Sequence, residues 1–357
     1  MYVGTYARTP EQGIPWLTLD LATGKLEPKG VLGGIRSPSF LAVHPSLRFL
    51  YSVNEISDFE GKPAGGVSAY SIDPKTGALT LLNQQPSTGS GPCHLVVDKA
   101  GKNVLVANYG GGNVACLPLG KDGRLSAATA SSKHALPGDT DKPRRALAHS
   151  INVSPGGGFA AAADAGLDRV FVYTLDVAKG GLASAGAAVL PVGAAPRHFA
   201  FHPGGRFAYV INESAMSVTA FAWDEKKGTL TSLQTIDTLP RPKQAGDSTA
   251  EVQVHPSGKF LYGSNRGHDS IAVFAIDQAT GKLTAVQNQP TLGKTPRNFG
   301  LDPTGQYLIA ANQSSGDMHT FRINAATGKL SPTGHSIKIT QPVCVKFLPF
   351  PIPQAQD

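Results

Sequence analysis

Phe199-Ala200-Phe201-His202-Pro203-Gly204-Gly205-Arg206-Phe207-Ala208-Tyr209-Val210-Ile211-Asn212 reads as a strand, a tight turn and a second strand that stops at Asn. Pro203-Gly204-Gly205 supplies the turn chemistry. The unit returns as Val252-Gln253-Val254-His255-Pro256-Ser257-Gly258-Lys259-Phe260-Leu261-Tyr262-Gly263-Ser264-Asn265, and further copies centre on His44-Pro45, Asp98-Lys99, Ser154-Pro155 and Asp302-Pro303. Between the copies a Gly-x-Leu turn recurs at Gly24, Gly77, Gly123, Gly180, Gly228, Gly281 and Gly328, at spacings of 53, 46, 57, 48, 53 and 47 residues. An alternating strand precedes each turn, as in Val67-Ser68-Ala69-Tyr70-Ser71-Ile72. About four short strands per period of roughly 50 residues, with no long amphipathic helix, is the sequence mark of a propeller blade.

A lone blade cannot bury its two faces, so the repeats must close into a ring. Pro342-Val343-Cys344-Val345-Lys346-Phe347 reads as an inner strand with no second strand after it, and Tyr2-Val3-Gly4-Thr5-Tyr6 as a second strand with no first. Together they complete one shared blade. The expectation is an all-β, seven-bladed propeller of four-stranded antiparallel blades, with residues 1–357 as a single domain clasped by its termini.

Composition agrees. Apolar residues make up 41% of the chain and charged residues 16%, with 41 Gly and 27 Pro, as a turn-rich chain with a large core requires. Cys93, Cys116 and Cys344 are odd in number and widely spaced, so neither a disulfide framework nor a zinc site is indicated. No apolar run reaches a membrane span and no leader is visible, which places the chain in the cytoplasm, or in the periplasm if a leader has been removed. The net charge of +7 includes one dense basic run, Lys142-Pro143-Arg144-Arg145, read as a solvated loop. No stripe of basic and aromatic residues suits nucleic acid, and mild positive charge favours a small anionic substrate. The expected state is a monomer or a weak homo-oligomer.

Strand geometry turns the repeats into a map. The first strand of each blade lines the channel and pairs antiparallel with the second, so the start of one and the end of the other share a mouth. Near the start of the first strand stand Ser39, Cys93, His149, Arg197, Ala250 and Arg297. Ending the second strand are Asn54, Asn108, Asp164, Asn212, Asn265 and Asn312, a nearly uniform row that reads as turn chemistry. One residue on stand Glu55, Tyr109, Ala165, Glu213, Arg266 and Gln313. The first and third rows vary from blade to blade, which folding alone does not require. His149, Arg197, Glu213 and Arg266 are therefore the catalytic candidates, with Arg297, Glu55 and Asn108 as substrate-binding candidates. The bland alternatives are a buried network in which both arginines neutralise Glu213, and a satisfied core histidine at position 149. Some signals are set aside. His198 and His202 are too far apart on a strand to share a metal, Gly110-Gly111-Gly112-Asn113 lacks the lysine of a P-loop, and no GxSxG elbow occurs.

The segments Ala195-Pro196-Arg197-His198-Phe199, Ile211-Asn212-Glu213-Ser214, Ser264-Asn265-Arg266-Gly267-His268-Asp269-Ser270 and Thr295-Pro296-Arg297-Asn298-Phe299, with Val3-Gly4-Thr5-Tyr6 and Ala107-Asn108-Tyr109-Gly110-Gly111-Gly112, resemble the seven-bladed propeller lactonase family. That family includes propeller-type 6-phosphogluconolactonases and the fungal carboxy-cis,cis-muconate cyclase. The resemblance spans nearly the whole chain. It implies a cofactor-free site at the channel mouth that takes a small anionic lactone, or the carboxylate that closes to one. The His, Arg, Glu and Arg implicated in the cyclase fall on His149, Arg197, Glu213 and Arg266. One departure stands out: where the family often has Pro-His-x-His, this chain has Ala146-Leu147-Ala148-His149, with Leu147 in place of the first His.

The leading expectation is metal-independent lactone hydrolysis. Arg197 and Arg266 would hold the anion and stabilise the oxyanion, Glu213 would orient or deprotonate water, and His149 would shuttle protons. The rivals are a muconate-cyclase-like intramolecular lyase, a non-catalytic scaffold that binds proteins at its rim, and a metal-dependent lactonase using Glu55 and Glu213.

Overall fold

In a computed structural model the chain is described over residues 1–136 and 144–348. The described residues form twenty-eight strands in seven four-stranded antiparallel sheets. Blade one runs outward through Leu41–Val43, Phe49–Asn54, Gly66–Ile72 and Leu79–Pro86. Blades two to six begin at the inner strands Pro92–Val97, Ala148–Val153, Pro196–Phe201, Ser248–Val254 and Pro296–Leu301. Blade seven is the shared one: Pro342–Lys346 is innermost and pairs with Tyr2–Thr5, followed by Gly13–Leu19 and Leu26–Gly33. Its inner strand packs against those of blades six and one, so the ring is closed. Among the described residues no helix is long and apolar enough to cross a membrane.

The second strand of each blade lies inside its sheet and between two neighbouring blades, so Phe49–Asn54, Phe207–Asn212 and Tyr307–Asn312 are buried at every position. The outermost strands, such as Leu330–Lys338, have one wet face and alternate over most of their length. The core is the set of blade interfaces, filled by rings such as Tyr51, Tyr209, Tyr262, Phe274 and Phe321. Each such burial contributes about 1.5–3 kcal/mol.

The Gly-x-Leu turns serve those interfaces. All seven glycines have positive φ, between 65° and 81°. A Cβ on Gly281 would sit 2.4 Å from Phe207 of the preceding blade, and Gly123, Gly228 and Gly328 press on Phe49, Phe159 and Phe260 in the same way. The carbonyls of Gly77, Gly123, Gly281 and Gly328 accept the hydroxyls of Tyr2, Tyr51, Tyr209 and Tyr262 across the interface. Turn histidines repeat the device lower down. His44, His202 and His255 bond the carbonyls of Gly101, Gly258 and Gly305 of the next blade, each at 2.9 Å.

Candidate active site

The inner strands enter the channel through a tight left-handed step. The residue before the first proline has positive φ in five blades: Ser37, Gly91, Ala195, Thr295 and Gln341. For the non-glycines this conformation costs of order 1–3 kcal/mol and persists because its surroundings impose it. Asp168 and Asp269 do so in blades four and six, accepting the N–H of Ala195 and of Thr295, each at 2.8 Å. The carbonyl of the entry residue then accepts the N–H of the residue just past the second strand. Ser37 holds Glu55, Gly91 holds Tyr109 and Ala195 holds Glu213 in this way. A backbone bond thus sets each rim side chain above the inner strand of its own blade.

Near their start the inner strands of blades two to six, with or without this step, each carry one extra residue relative to their partners. Such a bulge leaves a residue unpaired and re-aims its side chain. Cys93, His149 and Arg297 are the extra residues of blades two, three and six. In blade four the bulge lies between Pro196 and Phe199, and consecutive Arg197 and His198 both face the channel, which strict alternation forbids.

The result is a tight cleft of about 10 Å³, bordered by Tyr6, Ser39, Glu55, Cys93, His149, Arg197 and Arg297 and floored by Phe40 and His198. Glu213 joins it to the rim. Its Oε1 accepts from Arg266 at 2.6 Å, and its Oε2 lies 3.3 Å from Nε of Arg197. Arg197 also donates to the Ala250 carbonyl at 2.7 Å, and Arg266 to that of Thr249 at 2.7 Å. The Nε–H groups of both arginines are buried and have no aligned acceptor among the described residues. Glu55 accepts from Tyr6 at 3.1 Å and Ser39 at 2.5 Å, and Arg297 lies 5.4 Å from the centroid of the Tyr6 ring. His149 sits between Tyr109 and His198, with ring centroids 5.2 and 5.3 Å away, and its Nδ1 is 3.7 Å from Sγ of Cys93.

Burial sets the charge states. It would raise Glu213, but Arg197 and Arg266 reverse the effect and hold it below the usual carboxylate value. Glu55 goes up by burial, offset only in part by Ser39 and Arg297. His149 is held well below its ordinary 6.5, by burial first and then by Arg197. Burial, Arg297 and Arg266 lower Arg197 to about 10, still cationic at neutral pH. Burial pushes the Cys93 thiol up, away from a nucleophilic thiolate. Three guanidinium groups therefore face two carboxylates, one of them raised, and the mouth is net positive.

The chain matches the family model "Lactonase, 7-bladed beta-propeller" over residues 1–347. It belongs to the seven-bladed β-propeller lactonases. It is 34% identical to a 6-phosphogluconolactonase of Bacillus subtilis over 97% of both chains. Identity to a 6-phosphogluconolactonase of Formosa agariphila is also 34%, over 85% of this chain and 86% of that one. The crystal structure of the periplasmic gluconolactonase of Pseudomonas aeruginosa superposes with a TM-score of 0.87 at 32% identity, covering 96% of each chain.

In this propeller lactonase the residues His149, Arg197, Glu213, Arg266, Arg297 and Glu55 meet at one mouth, and the bland reading of a charge network is visible there too, since Arg197 and Arg266 do flank Glu213. Asn108 is a correction. It is fully buried, and its amide donates to the Ser87 carbonyl at 2.9 Å, tying down the crossing between blades one and two. Asn54, Asn265 and Asn312 bond the carbonyls of Arg36, Thr238 and Thr291 in the same role. Tyr109, one residue on, reaches His149 together with Cys93 of the same blade. Arg144 and Arg145 of the basic run are exposed, as a solvated loop requires, and Arg144 also binds Asp168 at 2.5 Å; Lys142 and Pro143 lie outside the described residues. Leu147, at the departure from the family pattern, gives its carbonyl to the N–H of Ala165. Sequence reasoning missed Tyr6, Ser39 and Cys93, although two of them stood in its own first row, because neutral residues carry no charge signal. Among the described residues no three His, Cys, Asp or Glu side chains gather as a metal cluster.

Proposed function

We propose that this propeller lactonase hydrolyses a small anionic sugar lactone at the Arg197 mouth without a metal ion. One observation carries the reading: two buried guanidinium groups, Arg197 and Arg266, converge on Glu213 at the mouth, the first of them beside the neutral His149, and the Nε–H of each lacks an aligned acceptor. Buried donors without an aligned acceptor are rare and ask for a role. A carbonyl oxygen that becomes an oxyanion would supply the acceptor, and a low-dielectric site makes that interaction strong. Arg297, at the net-positive wall, would hold the substrate's phosphate or carboxylate.

Of the two bases, His149 suits proton abstraction better. Both oxygens of Glu213 face arginines and its proton affinity is low, so its part is to keep the guanidinium groups in place. An anion bound against Arg197 and Arg297 would cancel the field that depresses His149 and raise its basicity as substrate arrives. The names of the Bacillus and Pseudomonas relatives support a sugar lactone. Metal independence rests on the donor set: Glu55 and Glu213 are engaged with Tyr6, Ser39 and arginines, which disfavour a divalent cation.

The test is turnover of 6-phosphogluconolactone, gluconolactone and a carboxymuconate by the wild type and Arg197→Ala, with and without a chelator. Expected are hydrolysis of the lactones, a loss of roughly a hundredfold or more in Arg197→Ala, and no effect of chelation. An unchanged rate in the variant removes the role given to Arg197, and chelator-sensitive turnover removes metal independence.

A further inference from the structure

A further cavity in the channel opens at the opposite mouth, measures about 630 Å³, and is bordered by His94, Glu251, Gln253 and Lys346 among others. Phe40 and His198 border both, so they form the partition between them. Nδ1 of His198 lies 3.1 Å from Oε2 of Glu251, an ion-pair distance without the alignment of a good hydrogen bond. On its other side the His198 ring meets His149 edge to face. Glu251 is fixed by the Asn298 amide and by the Val252 N–H at 3.0 Å. His149, His198 and Glu251 thus stand in a row from one cavity to the other, the two rings in contact and the carboxylate at ion-pair distance, and a turn of the His198 ring is what would make hydrogen bonds of these contacts.

Lactone hydrolysis gives such a row something to carry. The water oxygen bonds to the carbonyl carbon and the ring C–O bond breaks. One water proton ends on the freed hydroxyl, and the new carboxylic acid gives up its proton at neutral pH. One proton leaves per turnover. An anion seated in the upper mouth covers the direct way out, and the arginines there repel a departing hydronium.

We propose that His198 and Glu251 relay this proton from His149 through the partition to the opposite vestibule, an inference that rests on the lactonase reading above. Burial raises Glu251 to about 7 against the pull of Lys346 and Arg197, which suits exchange near neutrality. The groups facing the pair are Arg197 and Glu213 from the blade of His198, His94 and His149 from blades two and three, and Arg297 and Asn298 from blade six. Lys346 and Cys344 face it from blade seven. His94, His149 and His198 are all held well below their ordinary value, by burial first, so each is neutral and takes a proton only in passing.

Glu251→Gln keeps the shape of the relay and removes its proton acceptor. With a lactone substrate in weak buffer, the wild-type kcat should show a limb near pH 7 that the variant lacks. The variant's kcat should fall roughly tenfold at unchanged KM and recover as imidazole is added. His198→Asn should repeat the pattern, and thermal melting of both variants checks that the fold is kept. A limb near pH 7 that persists in Glu251→Gln, or a loss that imidazole does not relieve, overturns the relay. A wild type that hydrolyses no lactone sinks the lactonase reading instead, and the relay with it.

Discussion

His149 shows how far a residue's surroundings move it from its sequence identity. The imidazole is an ordinary near-neutral titrating group in isolation. Between Arg197, Arg297 and His198, and without water, it stays neutral far below 6.5. If neutral His149 is the working base, its active form survives to lower pH than a free histidine's. The expectation is that in Glu251→Gln, which lacks the relay's own limb near pH 7, kcat/KM for a lactone carrying no titrating phosphate stays level from pH 8 down through 6.5 and declines only below. A half-drop at 6.5 or above would contradict it. The residues legible in sequence were those whose charge departed from a repeating row: His149, Arg197, Glu213, Arg266 and Arg297. Asn108 was misplaced because an Asn that clamps a carbonyl and an Asn that meets a substrate look alike in a sequence. His198 was seen only as half of a metal pair with His202. Its place beside Glu251 depends on blade five, about fifty residues away in the chain.

At the scale of the element, turns were readable and bulges were not. Gly-x-Leu repeats because a positive φ and a close aromatic neighbour each exclude a Cβ. Gly157 and Gly281 separate the two effects. Both have positive φ, at 81° and 72°, but a Cβ on Gly157 would meet nothing within 4 Å, whereas one on Gly281 would strike Phe207. Gly157→Ala should therefore cost about 1–2 kcal/mol for the left-handed backbone alone. Gly281→Ala should cost a further 1–3 kcal/mol or so for overpacking a blade interface. Denaturant unfolding of the two variants compares them directly, and equal losses would refute the interface role of the turn. The bulges at Cys93, His149 and Arg297 leave no such mark. One additional residue in an inner strand changes neither composition nor hydrophobicity, only the partner's register, and that register is written in the second strand of the blade.

For the whole molecule the channel is a balance of buried ionisable groups. Below pH 6.5 the three channel histidines, His94, His149 and His198, would take protons in the unfolded chain but resist them in the fold, so acid weakens the native state. Glu251 and Glu55 act the other way. Their raised values mean that the fold binds protons which the unfolded chain, titrating near 4.5, does not. Three groups against two leave a small net loss of stability on acidification from pH 6.5 to 5. Removing Glu251 as a titrating group should steepen it. Glu251→Gln should thus show a larger fall in melting temperature between pH 7 and 5 than the wild type, and an equal or smaller fall would mean that Glu251 does not titrate as buried.

Period, strand count, ring closure and the common mouth followed from the chain alone, because a repeat of strand and turn has few ways to bury itself and antiparallel pairing carries equal offsets to equal heights. What the tertiary structure decided was orientation and charge: which of two adjacent residues turns into the channel, which carboxylate stays ionised, and which histidine meets which acid. Those depend on distances between strands of different blades and on exclusion of water, and neither is a property of any one stretch of sequence.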